Sequence, residues 1–246
     1  MFSAAINGTA RCGAGEGLSH CKSTFFSVAI DGPAGAGKSS IAKAAAQRLG
    51  FVYVDTGALY RTVALYMLDH GVDIHEPAAV EEKLPRVAVD IAYSDAGQQV
   101  FLCGENVTGR IRTEEVSAAT SVCAALPAVR AFLLELQRAL AAKNNVLMDG
   151  RDIGTVVLPD AGLKIFLTAS PDVRARRRYQ QLKAAGTPAD YDAILAEIKE
   201  RDYQDSHRAA APMKQAEDAV LMDTSDDTFE ESVDKLIAFI QERREG

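Results

Sequence analysis

The stretch that decides the fold is Ser27-Val28-Ala29-Ile30-Asp31-Gly32-Pro33-Ala34-Gly35-Ala36-Gly37-Lys38-Ser39. Its apolar first part predicts a buried strand, and its second part matches the pattern G-x-x-x-x-G-K-[ST] at every fixed position. The glycines let the backbone wrap closely around phosphates, so that amide N–H groups and a helix N-terminus point at the oxygens. The stretch therefore predicts a strand, a phosphate-binding loop and a helix, with a nucleoside triphosphate as ligand.

Two side chains of this loop have specific expected roles. Lys38 should reach the β- and γ-phosphates, and the Ser39 hydroxyl should ligate Mg²⁺. The guanine-reading pattern N-K-x-D is absent from the sequence, which disfavours a GTPase switch. The loop residues predicted to bind the triphosphate are Gly32, Pro33, Ala34, Gly35, Ala36, Gly37, Lys38, Ser39 and Ser40.

Short apolar runs alternate with longer helical patterns along the chain, which predicts βαβ units and a mostly parallel sheet. Near-continuous hydrophobicity suits strands covered by helices on both faces. A final helix is indicated by Thr228 and Glu231, a capping-box pair that precedes one apolar stripe. The predicted core strands are Ser27–Asp31, Phe51–Asp55, Asn145–Asp149, Leu163–Thr168 and Ala219–Asp223.

One stretch breaks this alternation. Val87–Tyr93 and Gln99–Val107 have the pattern of short strands joined through Asp95-Ala96-Gly97, which predicts a small antiparallel lobe inserted into an α/β core. A long helical region follows, from Thr113 to about Lys143, with an interruption at Pro127.

Composition excludes several classes of protein. Of 246 residues, 48% are hydrophobic and 25% charged, close to the averages of globular domains. No apolar run approaches the ~18 residues of a membrane span. The cysteines form no C-x-x-C pair, so neither a disulfide framework nor a zinc site is predicted and a reducing cytoplasm is the expected location. They are Cys12, Cys21, Cys103 and Cys123.

The net charge of −7 lies in the last part of the chain. Residues 215–246 contain 3 Lys and Arg against 10 Asp and Glu, so residues 1–214 balance at 24 against 24. This balance disfavours nucleic acid or an anionic membrane as a partner. Residues 1–26, rich in Gly, Ser and Ala, are expected to form a flexible tail, with a transit peptide and a mis-assigned start as open alternatives.

With the segment Asp55-Thr56-Gly57-Ala58-Leu59-Tyr60-Arg61 added to the phosphate loop, the chain resembles the bacterial cytidylate kinases. Thr56 stands where that family often has Ser and keeps the hydroxyl. The resemblance spans residues 27–223 and implies transfer of the γ-phosphoryl group of ATP to CMP or dCMP, with Mg²⁺ required. It also rests on Asp31–Ser39, Thr108–Thr113, Asp149–Val157 and Ile198–Asp202.

The resemblance also implies an architecture. We expect an α/β kinase domain at 27–246, with a five-stranded parallel core and helices on both faces. The antiparallel β insert should lie in an acceptor-binding lobe at about 57–143, and a helical lid at about 172–206. A cytoplasmic monomer acting on small molecules, without a nucleic-acid or membrane partner, is the corresponding expectation.

The phosphate of the acceptor favours planar, multi-donor arginine over lysine. The candidates are Arg61, Arg112 and Arg151, with Arg110 as a competitor of Arg112. Arg151 follows a core strand, where ligands of open α/β sheets collect. Each could instead be a solvated charge. Thr56 and Tyr60, in the same motif as Arg61, complete this side of the predicted CMP site.

Cytosine offers an amino donor at N4 and acceptors at N3 and O2, so a carboxylate and a guanidinium suit it. By family position these groups are Asp152 and Arg130, with Ser121 as a third contact whose alternative is an ordinary helix-surface residue. Uracil reverses the polarity at N3 and position 4, which would leave both charged groups mispaired.

Arg201, Asp205 and Arg208 have the spacing of one helix face. A solvated salt-bridge face would produce the same spacing. The resemblance assigns Arg201 and Asp205 to the ribose and Arg208 to the phosphates.

The run Val173–Ala189 is basic, with Arg174, Arg176, Arg177, Arg178 and Lys183 and no acidic residue. RNA binding is one interpretation. A helix–turn–helix lid that closes over ATP is the favoured one, because the turn Gly186-Thr187-Pro188 follows. Three of these residues, Arg174, Arg177 and Arg178, are expected to project from one helical face, with Arg174 binding ATP.

Phosphoryl transfer depends on in-line positioning and charge neutralisation rather than on a covalent nucleophile. The predicted catalytic residues are Lys38, Arg151, Arg177 and Arg178. Asp149 is expected to orient Mg²⁺ through water together with Ser39, with a structural turn residue as its alternative. The competing functions are a kinase for another monophosphate, a non-enzymatic nucleotide sensor and an RNA-binding protein.

Overall fold

A computed structural model describes residues 25–94 and 97–245. Nearly all of the expected N-terminal tail, residues 1–24, lies outside the described residues. So do Asp95 and Ala96 of the predicted turn in the insert.

Five parallel strands form the core sheet. In spatial order they are β2 (Val52–Asp55), β6 (Val146–Asp149), β1 (Ser27–Asp31), β7 (Leu163–Thr168) and β8 (Val220–Asp223). All five predicted strands are confirmed, three of them one residue shorter at the start. Just before β6, the Asn145 side-chain Oδ1 accepts the backbone N–H of Phe26 at 2.7 Å. A side-chain hydrogen bond therefore links the residues that precede β6 and β1.

A second, antiparallel sheet confirms the predicted insert but not its strand count. Its strands are β3 (Val89–Ser94), β4 (Gly97–Leu102) and β5 (Glu105–Asn106). The prediction of one strand over Gln99–Val107 is wrong. Cys103 and Gly104 have φ angles of 49° and 85°, and this pair of left-handed residues reverses the chain into a hairpin.

Eight α-helices are found among the described residues. They are α1 (Lys38–Leu49), α2 (Thr56–Asp69), α3 (Pro77–Lys83), α4 (Glu114–Ala125), α5 (Pro127–Ala141), α6 (Pro171–Ala184), α7 (Tyr191–His207) and α8 (Phe229–Glu245). A 3₁₀ turn at Leu84–Arg86 and a π-helical turn at Ile153–Val157 add to them; the π turn had no counterpart in the sequence prediction.

The predicted helix signals act as expected. Thr113 accepts the N–H of Val116 and caps α4, and Pro127 begins α5. At α8 the Glu231 carboxylate accepts the backbone N–H of Thr228 at 2.8 Å, and the Thr228 hydroxyl accepts that of Glu231 at 3.3 Å, which is the capping box.

Helices cover both faces of the sheet. On one face Ile41 of α1 and Leu236 of α8 pack on the core strands, and on the other Val146 and Met148 pack near α5. A separate apolar cluster joins α2, α4 and α5 to the antiparallel sheet. Among the described residues no single helix is long and apolar enough to cross a membrane; α4 and α5 together meet that test by length and composition, with a 95° bend between them.

Gly32, directly after β1, allows the chain to pass close to the backbone of the neighbouring strand β7. It has a φ of 141°, and a Cβ atom there would lie 2.0 Å from the Leu167 carbonyl oxygen of β7. We expect Gly32→Ala to lower the free energy of unfolding by about 3 kcal/mol, because backbone strain and overlap with a fixed carbonyl act together. Denaturant unfolding measures this.

Gly109→Ala is the matched control, because a Cβ at Gly109 would meet nothing within 4 Å. It should change the unfolding free energy by less than about 0.5 kcal/mol. Equal effects of the two substitutions would contradict the steric explanation.

Candidate active site

The phosphate loop, Gly32–Ser39, runs from the end of β1 into the start of α1, as predicted. Lys38 is buried, and its Nζ donates to the carbonyl oxygen of Pro33 at 2.7 Å. Burial and the nearby Arg151 guanidinium lower the pKa of Lys38, while Asp149 and Asp31 oppose that shift. The loop therefore encloses the Lys38 ammonium group, which lies near Asp149 at the end of β6.

Ser39 and Asp149 meet at that point. The Ser39 hydroxyl donates to Asp149 Oδ2 at 2.8 Å, and Tyr53 donates to Asp149 Oδ1 at 2.9 Å. Burial and the neighbouring Asp55 raise the pKa of Asp149. Asp149 is thus joined to the loop and is not merely a turn residue.

A hydroxyl and a carboxylate side by side are hard oxygen donors of the kind Mg²⁺ prefers. Within the described part of the chain, no group of three or more His, Cys, Asp or Glu side chains could hold a metal ion. Mg²⁺ keeps several waters and binds through one or two protein oxygens plus substrate phosphates, so a pair of oxygen donors is sufficient for it. Ser39 and Asp149 therefore fit the expected ion.

Three arginines from different elements crowd together beside this pair. Arg61 lies on α2, Arg151 follows β6 and Arg201 lies on α7; we call them the acceptor arginines. Burial lowers the pKa of Arg61 and of Arg201, and the repulsion of the other arginines adds to the shift. Like charges forced together at low solvent exposure create a site for an anion.

The partners of these arginines leave capacity for a ligand. Arg61 Nη1 donates to Ser117 Oγ at 2.6 Å, and Arg151 Nε donates to Asp205 Oδ2 at 2.7 Å. Arg201 Nε is buried and has no hydrogen-bond partner among the described residues. A buried guanidinium N–H without an acceptor is unfavourable, so an incoming oxygen would be bound there.

The two competing arginines of the insert separate in space. Arg112 Nη2 lies 3.4 Å from Asp55 Oδ2, at the end of β2 and on the site. Arg110 pairs with Asp69 at 2.8 Å on the outer surface. The geometry therefore favours Arg112 over Arg110 as a ligand-binding residue.

A second charge cluster, the base-end cluster, lies around Asp152. This carboxylate is buried between Arg130, which makes a short ion pair with it, and Arg208, at 3.4 Å. The Arg130 guanidinium also lies 5.6 Å from the ring centroid of Tyr60, in cation–π range. The buried carboxylate and two guanidinium groups match the polarity that a cytosine edge requires.

Not every predicted residue joins these clusters. Ser121 is exposed on α4, and within the described residues it has no hydrogen bond to the base-end cluster. Arg208 lies beside Asp152 rather than with the acceptor arginines, in contrast to its expected phosphate role. Thr56 is buried, and its hydroxyl donates to the Asp149 carbonyl at 2.7 Å, so it ties α2 to β6.

The salt-bridge-face alternative for α7 is wrong. Asp205 of α7 pairs with Arg151, and Arg208, which follows the end of α7 in an extended conformation, pairs with Asp152, so both side chains reach across to the residues after β6. Arg201 and Asp205 share a face of α7 that lines the site, whereas the prediction that Arg208 lies on the same helix face is wrong, because α7 ends at His207.

The three lid arginines do not project together into one open space. Arg174 is buried, and its Nη1 donates both to the Ala34 carbonyl of the phosphate loop and to Asp202 at 3.0 Å each. Arg177 Nη2 donates to the Thr224 carbonyl at 2.6 Å, and Arg178 is exposed. The three arginines share a helix face, but only the start of α6 packs on the phosphate loop. Arg174 is therefore buried, Arg177 is partly buried and Arg178 is exposed.

Several residues of the site were not predicted. Asp31 accepts two backbone N–H groups of the π turn, and the Gln98 carboxamide bonds the N–H and the carbonyl of Asp55 at 2.8 and 3.3 Å. Asp31 and Asp55 could have been found as carboxylates that end buried strands. Gln98 gave no sequence signal, because its partner lies 43 residues away.

The comparisons with known proteins agree on one family. Residues 28–242 match the family described as cytidylate kinase. A cytidylate kinase of Pseudomonas aeruginosa (strain LESB58) is 50% identical over 212 residues, 85% of this chain and 93% of that protein. One of Anoxybacillus flavithermus is 47% identical over 221 residues, 90% and 98% of the two chains, and one of Mycobacterium avium is 48% identical over 219 residues, 89% and 96%.

Among solved structures, a gluconokinase from Sinorhizobium meliloti has a TM-score of 0.44 at 16% identity, covering 88% of this chain and 92% of that one. A likeness at this level adds nothing about function.

Gln98 supplies a prediction. Its carboxamide completes the hydrogen bonding of Asp55 on β2, an edge strand of the core sheet. Gln98→Ala should speed hydrogen exchange of the Asp55 amide roughly fivefold, because removing a bond worth about 1 kcal/mol frees that N–H. Exchange measured by NMR at this amide tests it.

The adjacent Gln99→Ala is the control, because the Gln99 side chain makes no hydrogen bond to the described residues and lies on the opposite face of β4. Its effect on the Asp55 amide should be negligible. Unchanged exchange in Gln98→Ala would show that the insert is held to β2 by other contacts.

Proposed function

The chain belongs to the cytidylate kinase family of phosphotransferases, and from this membership we propose that it transfers the γ-phosphoryl group of ATP to CMP or dCMP, giving ADP and CDP or dCDP. The observation that carries the proposal is the pair of ligand sites at one edge of the sheet. The phosphate loop follows β1, and the acceptor arginines with the base-end cluster gather around the end of the adjacent β6.

The donor side is built by the loop residues Gly32 to Ser40. We assign the β- and γ-phosphates of ATP to Lys38 and to the loop amides. Arg174 donates a hydrogen bond to the Ala34 carbonyl of the loop, so we assign it the role of supporting the loop that binds ATP. Mg²⁺, held through Ser39 and Asp149, would neutralise phosphate charge.

The acceptor phosphate is assigned to Arg61, Arg112 and Arg151. Their positions on α2, in the insert and after β6 surround one point, which favours gripping a dianion from several sides. Arg201 and Asp205 on α7 are assigned to the ribose, and the unpaired Arg201 Nε supports an oxygen ligand there. Arg208 is assigned to the base end, following its contact with Asp152.

Base selection is assigned to Asp152 and Arg130, with Tyr60 beneath the guanidinium. Asp152 would accept the N4 amino group of cytosine, and Arg130 would donate to N3 or O2. Uracil presents an acceptor to the carboxylate and a donor to the guanidinium, so UMP should be a poor acceptor. Ser121 stays a proposed contact that would need α4 to approach the base.

The transfer itself requires the acceptor oxygen in line with the γ-phosphoryl group and compensation of its charge. Arg151 lies close enough to Lys38 to lower the pKa of that lysine, so we assign Lys38 and Arg151 as the fixed cations between the two sites. We propose that α6 and α7, within the lid at about 172–206, close and bring Arg177 and Arg178 to the phosphates. Arg177 must leave Thr224 for this step.

The domain assignment follows from these roles. We propose residues 27–246 as the kinase domain, with acceptor binding at about 57–143. Because both sites are formed by one chain, a monomer suffices, and the free thiols of Cys103 and Cys123 suit the cytoplasm. The substrates are the small molecules ATP and CMP or dCMP.

The structure weakens the alternatives. RNA binding by α6 loses one of its charges, because Arg174 is buried and paired with the Asp202 carboxylate. A nucleotide sensor would need only the phosphate loop, and it leaves the buried Asp152 carboxylate with its partners Arg130 and Arg208 unexplained.

The reaction is tested by following ADP formation from Mg²⁺ and ATP with CMP, dCMP, UMP, AMP or no acceptor. We expect rapid turnover with CMP and dCMP, slow turnover with UMP and almost none without an acceptor. Equal rates with and without acceptor would mean an ATPase and would overturn the proposal.

Asp152→Asn tests base selection. An amide can offer a donor where the carboxylate only accepts, so the preference for CMP over UMP, as the ratio of kcat/KM values, should fall by about 100-fold, equivalent to about 3 kcal/mol. Steady-state kinetics with both acceptors measures it.

Asp160→Asn, at an exposed carboxylate to which no substrate contact is assigned, is the control and should leave the ratio unchanged. An unchanged ratio in Asp152→Asn would mean that the base is selected elsewhere.

A further inference from the structure

Asp31 opens the motif Asp31–Ser39, yet the reaction proposed above uses only the residues after it. It is the last residue of β1, only 4% exposed, and the residues that its side chain hydrogen-bonds lie more than 120 residues further along the chain.

Both carboxylate oxygens of Asp31 are engaged. Oδ1 accepts the backbone N–H of Ile153 and Oδ2 that of Gly154, each at 2.7 Å. These are two consecutive amides, at the start of the π turn Ile153–Val157. At Gly154 a Cβ atom would lie 3.3 Å from Asp31 Oδ2 and 3.2 Å from Lys164, so glycine permits this close approach.

The π turn directly follows the residues proposed to bind CMP. The Asp152 carbonyl accepts the N–H groups of Val156 and Val157 at 2.9 and 3.3 Å, so the turn is bonded to Asp152 as well as to Asp31. Asp152 has φ −145° and ψ 28°, outside the regular helix and strand regions, and this backbone conformation aims its side chain at Arg130 and Arg208. Asp31 thus fixes, through hydrogen bonds, the two residues that directly follow Arg151 and Asp152.

The energetics of Asp31 do not suggest a purely stabilising role. Burial raises its pKa to about 6 although the two N–H groups act to lower it; the Asp152 carboxylate raises it further, and Lys38 lowers it. A folded-state pKa above the ordinary 3.8 means that the ionised form is less favourable in the fold than in water, so above pH ~6 this charge reduces stability. The geometry of the site, rather than folding, accounts for a carboxylate here.

We propose that Asp31 is a positioning residue for the acceptor: through the amides of Ile153 and Gly154 it sets Arg151 and Asp152 in register with the phosphate loop that begins at Gly32. Donor and acceptor are thereby aligned by one side chain at the end of β1. This inference rests on the function proposed above.

Two substitutions separate the contact from the fold. Asp31→Asn is nearly isosteric but keeps one acceptor oxygen, so its NH₂ group would face an N–H. Asp31→Ala removes both acceptors. Asp73→Asn is the matched control, because the Asp73 carboxylate also accepts a backbone N–H, from His75 at 2.9 Å, in an exposed turn away from the site.

The variants are compared by CMP binding in calorimetry, by KM and kcat with CMP, UMP and ATP, and by amide exchange at Ile153 and Gly154. For Asp31→Asn we expect CMP affinity to fall and KM for CMP to rise about tenfold, as for loss of one charge-assisted hydrogen bond. The preference for CMP over UMP should also fall about tenfold, with KM for ATP changed less than about twofold. Amide exchange at Gly154 or Ile153 should accelerate, and Asp31→Ala should exceed Asp31→Asn throughout.

Three results would overturn the inference. A rise in KM for ATP with CMP constants unchanged would assign Asp31 to the donor, and lower thermal stability with unchanged constants would make it structural. If Asp31→Asn changed CMP binding and the kinetic constants no more than Asp73→Asn does, a positioning role of Asp31 would also be excluded. If Asp31→Ala does not fold, Asp31→Asn alone decides. Lack of CMP-dependent ADP formation by the wild-type protein would instead remove the proposed function, while the amide exchange would still report on the Asp31 contact.

Discussion

The parallel pairing of β1 with β6 is the constraint on which the site depends. Ile30 lies opposite Asp149 in the register, and the Gly150 N–H donates to the Ile30 carbonyl at 2.9 Å, so both strands end at the same level. Because parallel strands present their carboxyl ends at one edge, the loop after β1 and the segment after β6 must face each other. The phosphate loop and the residues proposed to bind the acceptor are neighbours as a consequence of that pairing.

Electrostatics then divides this edge into regions with different tasks. Cations are concentrated where phosphates would lie, and burial with mutual repulsion depresses the pKa values of Lys38, Arg61 and Arg201. At the base end, Asp152 instead pairs with Arg130 and Arg208. The first arrangement is unfavourable without an anion, and the second is largely compensated, which agrees with the proposed assignment of the first to phosphates and of the second to the base.

The core and much of the site could be predicted because their signals are local. Apolar runs identified β1 and β6, and the glycine pattern identified the phosphate loop. The strand break at Cys103 was missed because a non-glycine residue with positive φ carries no clear local signal. Residues such as Gln98, and the separate burial of Arg174 and Arg178, depend on packing between distant elements.

The sequence by itself therefore determined the order of elements, the phosphate loop and the chemical types needed for a phosphorylated acceptor, since these follow from residue identity and short-range periodicity. Only the tertiary structure decided which charges meet. It placed Arg112 and not Arg110 at the site, moved Arg208 to Asp152 and joined Asp31 to the amides of Ile153 and Gly154. Such partners are set by strand register and helix packing, which no local pattern encodes.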